Sequence, residues 1–443
     1  MNNLILGYII LGVLVFLTFF LANPKNFILL LIASSPIINI FWSFRISGFS
    51  IVDIFTGIFP ILFIFILIKK NINGEWIWGK YNKFFILILL AYLIPLVRLI
   101  LERKPSTNSL EFLLKILCGY ASYNLIINFF NSNDEDRFIK AILCAVSIVM
   151  IMVSYQLITG KGTNISADYY IIGFYHDVGK YSRMALFGIL IILPSLQIIK
   201  NRIDLIYKYI LLTLCLITLY VAMSRNVILS IIAILIVYAF LWRKYFITMI
   251  IISIALGLFI FSPKIQSICR KRFSKEMAYI QHIKSNKHYI NVDALGAGRV
   301  WLWKKAIKEF ERSSFIEKIF GLGRNVGPHG QIIASLMSTG IYGLIITVLF
   351  YLKLLLDTFY KIRLDKNNLM AIYSFLINII IFVMFIGSTP LTNYYLQMIF
   401  FSFVALTEKE EIEKKLCHEI EEIIDNISKS KNYPLQISGS LCK

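Results

Sequence analysis

The chain has 443 residues, of which 58% are hydrophobic, and a mean hydropathy of +0.74. Soluble domains hold roughly 45–50% apolar residues, so an excess of this size has nowhere to be buried except in lipid. The formal charge of +20 belongs, in that setting, to Lys and Arg that orient spans and face anionic headgroups or diphosphates. No zinc spacing, helix-turn-helix signature or basic-aromatic RNA motif accompanies it, which sets nucleic-acid binding aside.

Met1 to Ala22 is about 20 apolar residues, without a basic leading segment or a small-residue cleavage site before Asn23 and Pro24. It reads as a retained first span, not as a cleaved signal. Residues 26–42 are interrupted by Ser34, Ser35 and Pro36 and read as a full span or as half of a re-entrant pair. Runs of spanning length, about 17–25 residues, follow near 48–68, 83–101, 109–130, 138–159, 182–199, 203–222, 226–242, 245–262, 331–356, 370–388 and 391–407. The expectation is an all-α polytopic membrane protein of about 12–13 transmembrane helices. Its parts are N-terminal transmembrane helices (1–262), one large extracytoplasmic loop (263–330), C-terminal transmembrane helices (331–407) and a cytoplasmic amphipathic tail (408–443).

The loop over 263–330 is 68 residues long and holds 14 Lys or Arg against 5 Asp or Glu. Long loops are exported regardless of charge, so the short loops decide orientation. Those on the opposite side from 263–330 carry roughly 14 Lys or Arg and those on the same side roughly 8, which puts the long loop outside the cytoplasm. In the tail, Ile412, Leu416, Ile420, Ile424 and Ile427 recur among Glu and Lys, the pattern of an amphipathic surface helix.

Ionisable groups within or near spans are costly and therefore paired or functional. Asp53 reads as a packing polar group, Arg98 stands near a span end, and Glu111 and Lys115 are spaced to satisfy each other. The six cysteines, Cys118, Cys144, Cys215, Cys269, Cys417 and Cys442, form no CxxC pair. They read as small buried hydrophobes. Neither a metal nor a cofactor is expected. None of the five histidines sits in a metal-binding pair, and no Gly-rich loop carries the Lys-Ser/Thr of an NTPase.

His329 ends the long loop immediately before an apolar helix. A helix N-terminus suits an anion, and a histidine there can take a proton from a hydroxyl; a plain interfacial cap explains it equally well. Gly340 and Gly343 follow within that helix, where small residues allow close helix packing. Arg299 follows a Gly-rich turn and opens an amphipathic helix near 300–311, with Val300, Trp303, Ile307 and Phe310 on one face and Lys304, Lys305, Lys308 and Glu311 away from it. A cation at a helix start is unfavourable for the helix itself, so an anionic partner is inferred. Arg183 and Arg225 each open an apolar helix on the same side of the membrane. Singly, each can be an arginine that snorkels to headgroups; together with Arg299 and His329 they suggest a diphosphate site. Tyr169, Tyr170, Tyr175, His176 and Asp177, in the same region, are candidates for sugar contacts.

With these residues assembled, the chain resembles the O-antigen polymerase and O-antigen ligase superfamily. That family has about a dozen spans, a large exported loop in its C-terminal half, and a signature of His, a small polar residue, a nine-residue spacer, Gly, two residues and Gly. Here His329, Gly330, the spacer from Gln331 to Thr339, Gly340 and Gly343 follow that spacing. Gly330 departs from the family's usual Asn, Ser or Gln. Gly298, Arg299, Trp303 and Ala306 resemble the family's loop arginine and its helix, and Ser224 with Arg225 resembles its Ser-Arg span start. The resemblance covers about 180–400 and implies metal-independent glycosyl transfer on the outer face of a bacterial cytoplasmic membrane. The donor is then an undecaprenyl-diphosphate-linked oligosaccharide. Arg299, Arg225 and Arg183 stabilise the leaving diphosphate, and His329 activates a hydroxyl or orients the phosphate. Polymerisation of repeat units into O-antigen or capsule is the expected activity, with a chain-length regulator and a flippase as partners. A ligase of the same superfamily and a flippase without bond-making chemistry are the competing expectations.

Overall fold

The computed structural model describes residues 23–40, 45–46, 49–103, 107–159, 178–196, 201–222, 225–242, 299–323, 330–366, 368–387 and 389–431. The runs expected near 3–22 and 245–262, and the loop from 263 to 298, lie outside the described residues.

The elements in chain order are α1 (Pro24–Ile40), a short pair β1 (Arg45–Ile46) and β2 (Phe49–Ser50), α2 (Ile51–Ile72), α3 (Asn82–Leu101), α4 (Thr107–Phe129), α5 (Glu135–Thr159), α6 (Val178–Ser195), α7 (Arg202–Ala222), α8 (Arg225–Trp242), α9 (Arg299–Arg312), α10 (Phe315–Phe320), α11 (Gln331–Leu364), α12 (Leu369–Gly387) and α13 (Tyr394–Lys431). Single 3-10 turns precede α5 and α13. The two-residue antiparallel pair, with Arg45 opposite Ser50, is the one departure from an all-helical fold among the described residues. The doubtful segment 26–42 forms the single helix α1.

Among the described residues four segments are long and apolar enough to cross a membrane: Asn82–Leu101, Ser109–Phe129, Glu135–Gln156 and Gln331–Leu364. Such a segment satisfies its own backbone and covers a hydrocarbon core of ~30 Å with about 20 residues. On α3, Phe85, Ile88, Tyr92, Leu96 and Leu99 are buried while Ile86, Leu90, Leu93, Val97 and Ile100 are exposed. Both faces are apolar, as a helix between protein and lipid requires. Packing inside the bundle is aromatic: the Phe85 ring lies 4.6 Å from Phe401, 5.1 Å from Phe350 and 5.2 Å from Tyr120, centroid to centroid. Cys118 and Cys215 are buried as expected, but Cys144 is exposed, because it occupies an outward position of α5.

Side-chain contacts fix the helix directions. Tyr81, before α3, donates to Asp357 late in α11, and the end of α3 meets the segment before α11 through Pro95 and Leu99. The two helices are therefore antiparallel. Asn378 of α12 donates to the Tyr351 carbonyl, Tyr373 of α12 donates to the Ile191 carbonyl of α6, and Lys208 of α7 donates to the Ser195 carbonyl. These pairings gather the starts of α6, α8 and α11 and the ends of α3 and α12 at one end of the bundle. That end, which also carries α9 and α10, is called the loop end; the opposite end, where α13 leaves the bundle, is the tail end.

The structure adds two features. The helix expected from 331 is broken at Gly340, with φ 69° and ψ −167° inside α11, and Gly340 lies directly against the backbone of Ile319 and Gly321. α13 runs unbroken from Tyr394 to Lys431, through the expected span end and into the expected tail.

Gly340 occupies a backbone region essentially reserved for glycine, and a Cβ there would collide with the Ile319 carbonyl and the Gly321 amide. Gly74 also has a positive φ, yet a Cβ there meets nothing within 4 Å. Gly74→Ala should therefore cost only strain of about 1–2 kcal/mol, and Gly340→Ala markedly more. Thermal unfolding in detergent measures both; equal shifts would mean that the Ile319 backbone yields freely.

Candidate functional site

The loop end is built around the break in α11. A helix leaves its last carbonyls without partners, and in a membrane-crossing segment such groups are costly. Here Leu322 N–H donates to the Met337 carbonyl at 2.7 Å and Gly323 N–H to the Ser338 carbonyl at 3.2 Å. Gly321, with φ 87°, turns the chain out of α10 and lies directly against Ser338 and Thr339. Residues 321–323 thus form a strap across the end of the first half-helix, 331–339.

The strap is anchored on both sides. Ser314 and Glu317 form a capping box at the start of α10. The same Glu317 carboxylate pairs with Arg98 Nη2 at 3.5 Å, and Arg98 Nε pairs with Glu102 at 3.4 Å. Arg98, read from sequence as a costly charge near a span, is the ionic link between α3 and α10. On the other side, Ala306 of α9, Leu322 and Met337 are buried together, with Phe310 and Ile333 packed on them.

That contact shows which side of α9 meets α11. Ala306 is fully buried whereas Ile307 is 40% exposed, so the inner face centres on Ala306 and Phe310, not on Ile307. Ala306 permits the close approach to α11 that a branched side chain would block. Arg299 is the first residue of α9 and stands seven residues before Ala306, two helical turns away on the same side of the helix axis.

Arg225 is the first residue of α8 and Arg183 lies in the second turn of α6. Arg183 is half-buried and engaged with its surroundings. The two helices pack on each other and both pack on α12, which in turn lies along α11. The structure therefore brings the positions of Arg183, Arg225 and Arg299 and the start of α11 to the same end of the bundle, in two groups joined by α12. His329, Tyr169, Tyr170, Tyr175, His176 and Asp177 lie outside the described residues. Gly343 meets α3, with Ala91 3.2 Å from where its Cβ would be. Glu111 and Lys115 pair with each other.

In the sequence pattern Gln331 is only the first residue of the spacer. It is buried at the first position of α11, donates from Nε2 to Ser335 Oγ at 3.0 Å, and accepts from the Leu391 N–H at 3.2 Å. It ties the residue two after His329 to the turn between α12 and α13. A polar pair four apart at a helix start is the signal that reveals it.

The tail end holds a second polar cluster. Glu408 accepts from the Lys80 N–H at 2.6 Å and from Tyr123 Oη at 2.5 Å. Lys80 Nζ lies 3.5 Å from Asp357 and 3.6 Å from Glu411, and Lys361 Nζ lies 2.7 Å from Glu411. A cleft of about 390 Å³ opens beside them, lined in part by Tyr360, Asn368 and Thr407. Burial pushes the Glu408 carboxyl above its usual range, against the opposing hydrogen bonds from Tyr123 and Lys80. Burial also works against the Glu411 charge, but Lys361 and Lys80 outweigh it and hold that carboxyl below its usual range. Every acid here faces a lysine or a hydroxyl, so the cluster ties α13 to α11 and to the start of α3.

Comparison with models of known protein families finds no match to the chain, and comparison with curated proteins finds none either.

A carboxyl raised in the folded state contributes stability below its unfolded value, and that contribution is lost as pH rises through the folded value. Glu408→Gln keeps an oxygen for the Lys80 N–H and removes the buried charge. The thermal midpoint of the variant relative to the parent should therefore rise as pH increases above the usual glutamate range. A constant or falling difference would show that the Lys80 and Lys361 charges dominate Glu408.

Proposed function

We propose that this chain is a glycosyltransferase of the O-antigen polymerase and ligase type, acting on a polyprenyl-diphosphate-linked oligosaccharide at the outer face of a bacterial cytoplasmic membrane. The observation that carries the proposal is the gathering, at one end of a bundle with membrane-crossing helices, of three arginine positions and the helix that begins two residues after His329. Arg225 and Arg299 each begin a helix, and Arg183 lies near the start of another. A helix start and a guanidinium both favour an anion, and together they suit a diphosphate. The apolar runs near 3–22 and 245–262 add to the described helices, giving about a dozen spans in all. Short-loop lysines and arginines favour the tail end as cytoplasmic and the loop end as exported.

In the proposed reaction a sugar hydroxyl oxygen attacks the anomeric carbon of the donor. The bond from that carbon to the diphosphate oxygen breaks, its electron pair leaves with the polyprenyl diphosphate, and the hydroxyl proton passes to His329. A diphosphate is a good leaving group, so the reaction needs charge stabilisation more than a protonating acid. Arg299, Arg225 and Arg183 supply it. Growth of the chain by repeat units, in concert with a flippase and a chain-length regulator, is the form of the activity proposed.

The test uses purified protein in liposomes with a labelled undecaprenyl-diphosphate oligosaccharide, read as a ladder on a gel. A ladder is expected from the parent, and its loss, by at least a hundredfold in rate, from His329→Ala and Arg299→Ala at unchanged membrane level. Full activity in His329→Ala would return that residue to capping. Movement of labelled lipid between leaflets without any ladder would replace the enzyme with a flippase, and a ladder-free reaction that appears only on adding a separate acceptor would replace polymerase with ligase.

A further inference from the structure

We propose that the outward faces of α9 and α10 are a membrane-surface contact that holds the headgroups of anionic phospholipids beside the loop end of the bundle. The inference rests on the membrane-crossing helices and not on the reaction proposed above.

Length and charge give the first argument. Fourteen residues of α9 extend about 21 Å, short of a hydrocarbon core of ~30 Å. They carry Arg299, Lys304, Lys305, Lys308 and Arg312 against Glu309 and Glu311. A short basic helix with one apolar face is built to lie along a membrane surface.

The second argument is which faces are already used. Ala306 and Phe310 are spent on Met337 and Ile333 of α11. Trp301, Lys304, Lys305, Lys308 and Arg312 are exposed, and Lys305 Nζ lies 5.5 Å from the centroid of the Trp301 ring. Tryptophan is enriched at the membrane–water boundary, and lysine stems lie along apolar surface with the ammonium at the headgroups.

Continuity with the lipid-facing surface gives the third. α10 is tied to the end of α3 through Glu317 and Arg98. At that end Ile100 and Leu101 are exposed, and on α10 Phe315 is 76% and Ile316 61% exposed. Phe315 and Ile316 thus place exposed apolar side chains on the helix tied to the lipid-facing end of α3, and the α9 cations stand on the neighbouring helix. Apolar side chains beside cations suit acyl chains and headgroups together, which a bilayer supplies. Each basic residue near an anionic surface is worth about 1 kcal/mol.

The experiment uses the full chain in nanodiscs of phosphatidylcholine with about 30% phosphatidylglycerol and no polyprenyl lipid, so that donor binding cannot stand in for phospholipid. Benzoylphenylalanine replaces Phe315, Ile316 or Lys308 one at a time, and photoadducts are read by mass spectrometry. Phospholipid adducts at all three positions are expected, with phosphatidylglycerol enriched about twofold or more over the disc composition at position 308. The triple variant Lys304→Gln, Lys305→Gln, Arg312→Gln, with the probe kept at 308, should bring that ratio back to the disc composition while adducts at 315 and 316 persist. Adducts to protein, or none at 315 and 316, would overturn the proposal, as would an enrichment unchanged by the triple variant. Should that variant fail to fold, the single-position adducts of the otherwise unaltered chain decide alone.

Discussion

A helix interrupted inside a membrane must find new partners for the carbonyls it frees, and the loop end of this chain is organised by that requirement. The break at Gly340 releases the Met337 and Ser338 carbonyls, and the strap from Gly321 to Gly323 takes both. The strap fits only because glycines face each other: a Cβ on Gly321 would strike Ser338, and one on Gly340 would strike Ile319. Each glycine adopts a conformation that other residues avoid, so the two positions are constrained jointly. The position of α10, the ion pair of Glu317 with Arg98 and the seat of α9 on Met337 all follow from where the strap lies.

The two ends of the bundle solve different problems. At the tail end α13 leaves the apolar interior as one unbroken helix, and the ions that meet it are satisfied in place: Glu411 between Lys361 and Lys80, Glu408 between Tyr123 and the Lys80 amide. Such mutual neutralisation leaves little to offer a ligand. At the loop end the basic positions are distributed over the starts of separate helices, where each helix dipole adds to the positive potential.

Much of the helical framework was legible because a membrane-crossing run is defined by its own length and hydropathy. The run expected at 83–101 is α3 at Asn82–Leu101, and that expected at 370–388 is α12 at Leu369–Gly387. What escaped was whatever depends on a partner distant in sequence. The break at Gly340 is invisible to periodicity, which carries no information about φ, and the strap that accepts it lies about 18 residues upstream. That Ala306 is the residue of α9 seated on α11 is likewise invisible to hydropathy, which ranks Ile307 above it. Hydropathy falls at Glu408, but Glu, Lys, Ile and Leu all sustain a helix, and α13 continues through that point.

Gln331 shows how the strap and the candidate chemistry are joined. It is buried at the head of the broken helix, fixed by Ser335 within its own half-helix and by the Leu391 amide from the turn after α12. The half-helix 331–339 is therefore held at its upper end by Gln331 and at its lower end by the strap, with α9 packed along its side through Ala306.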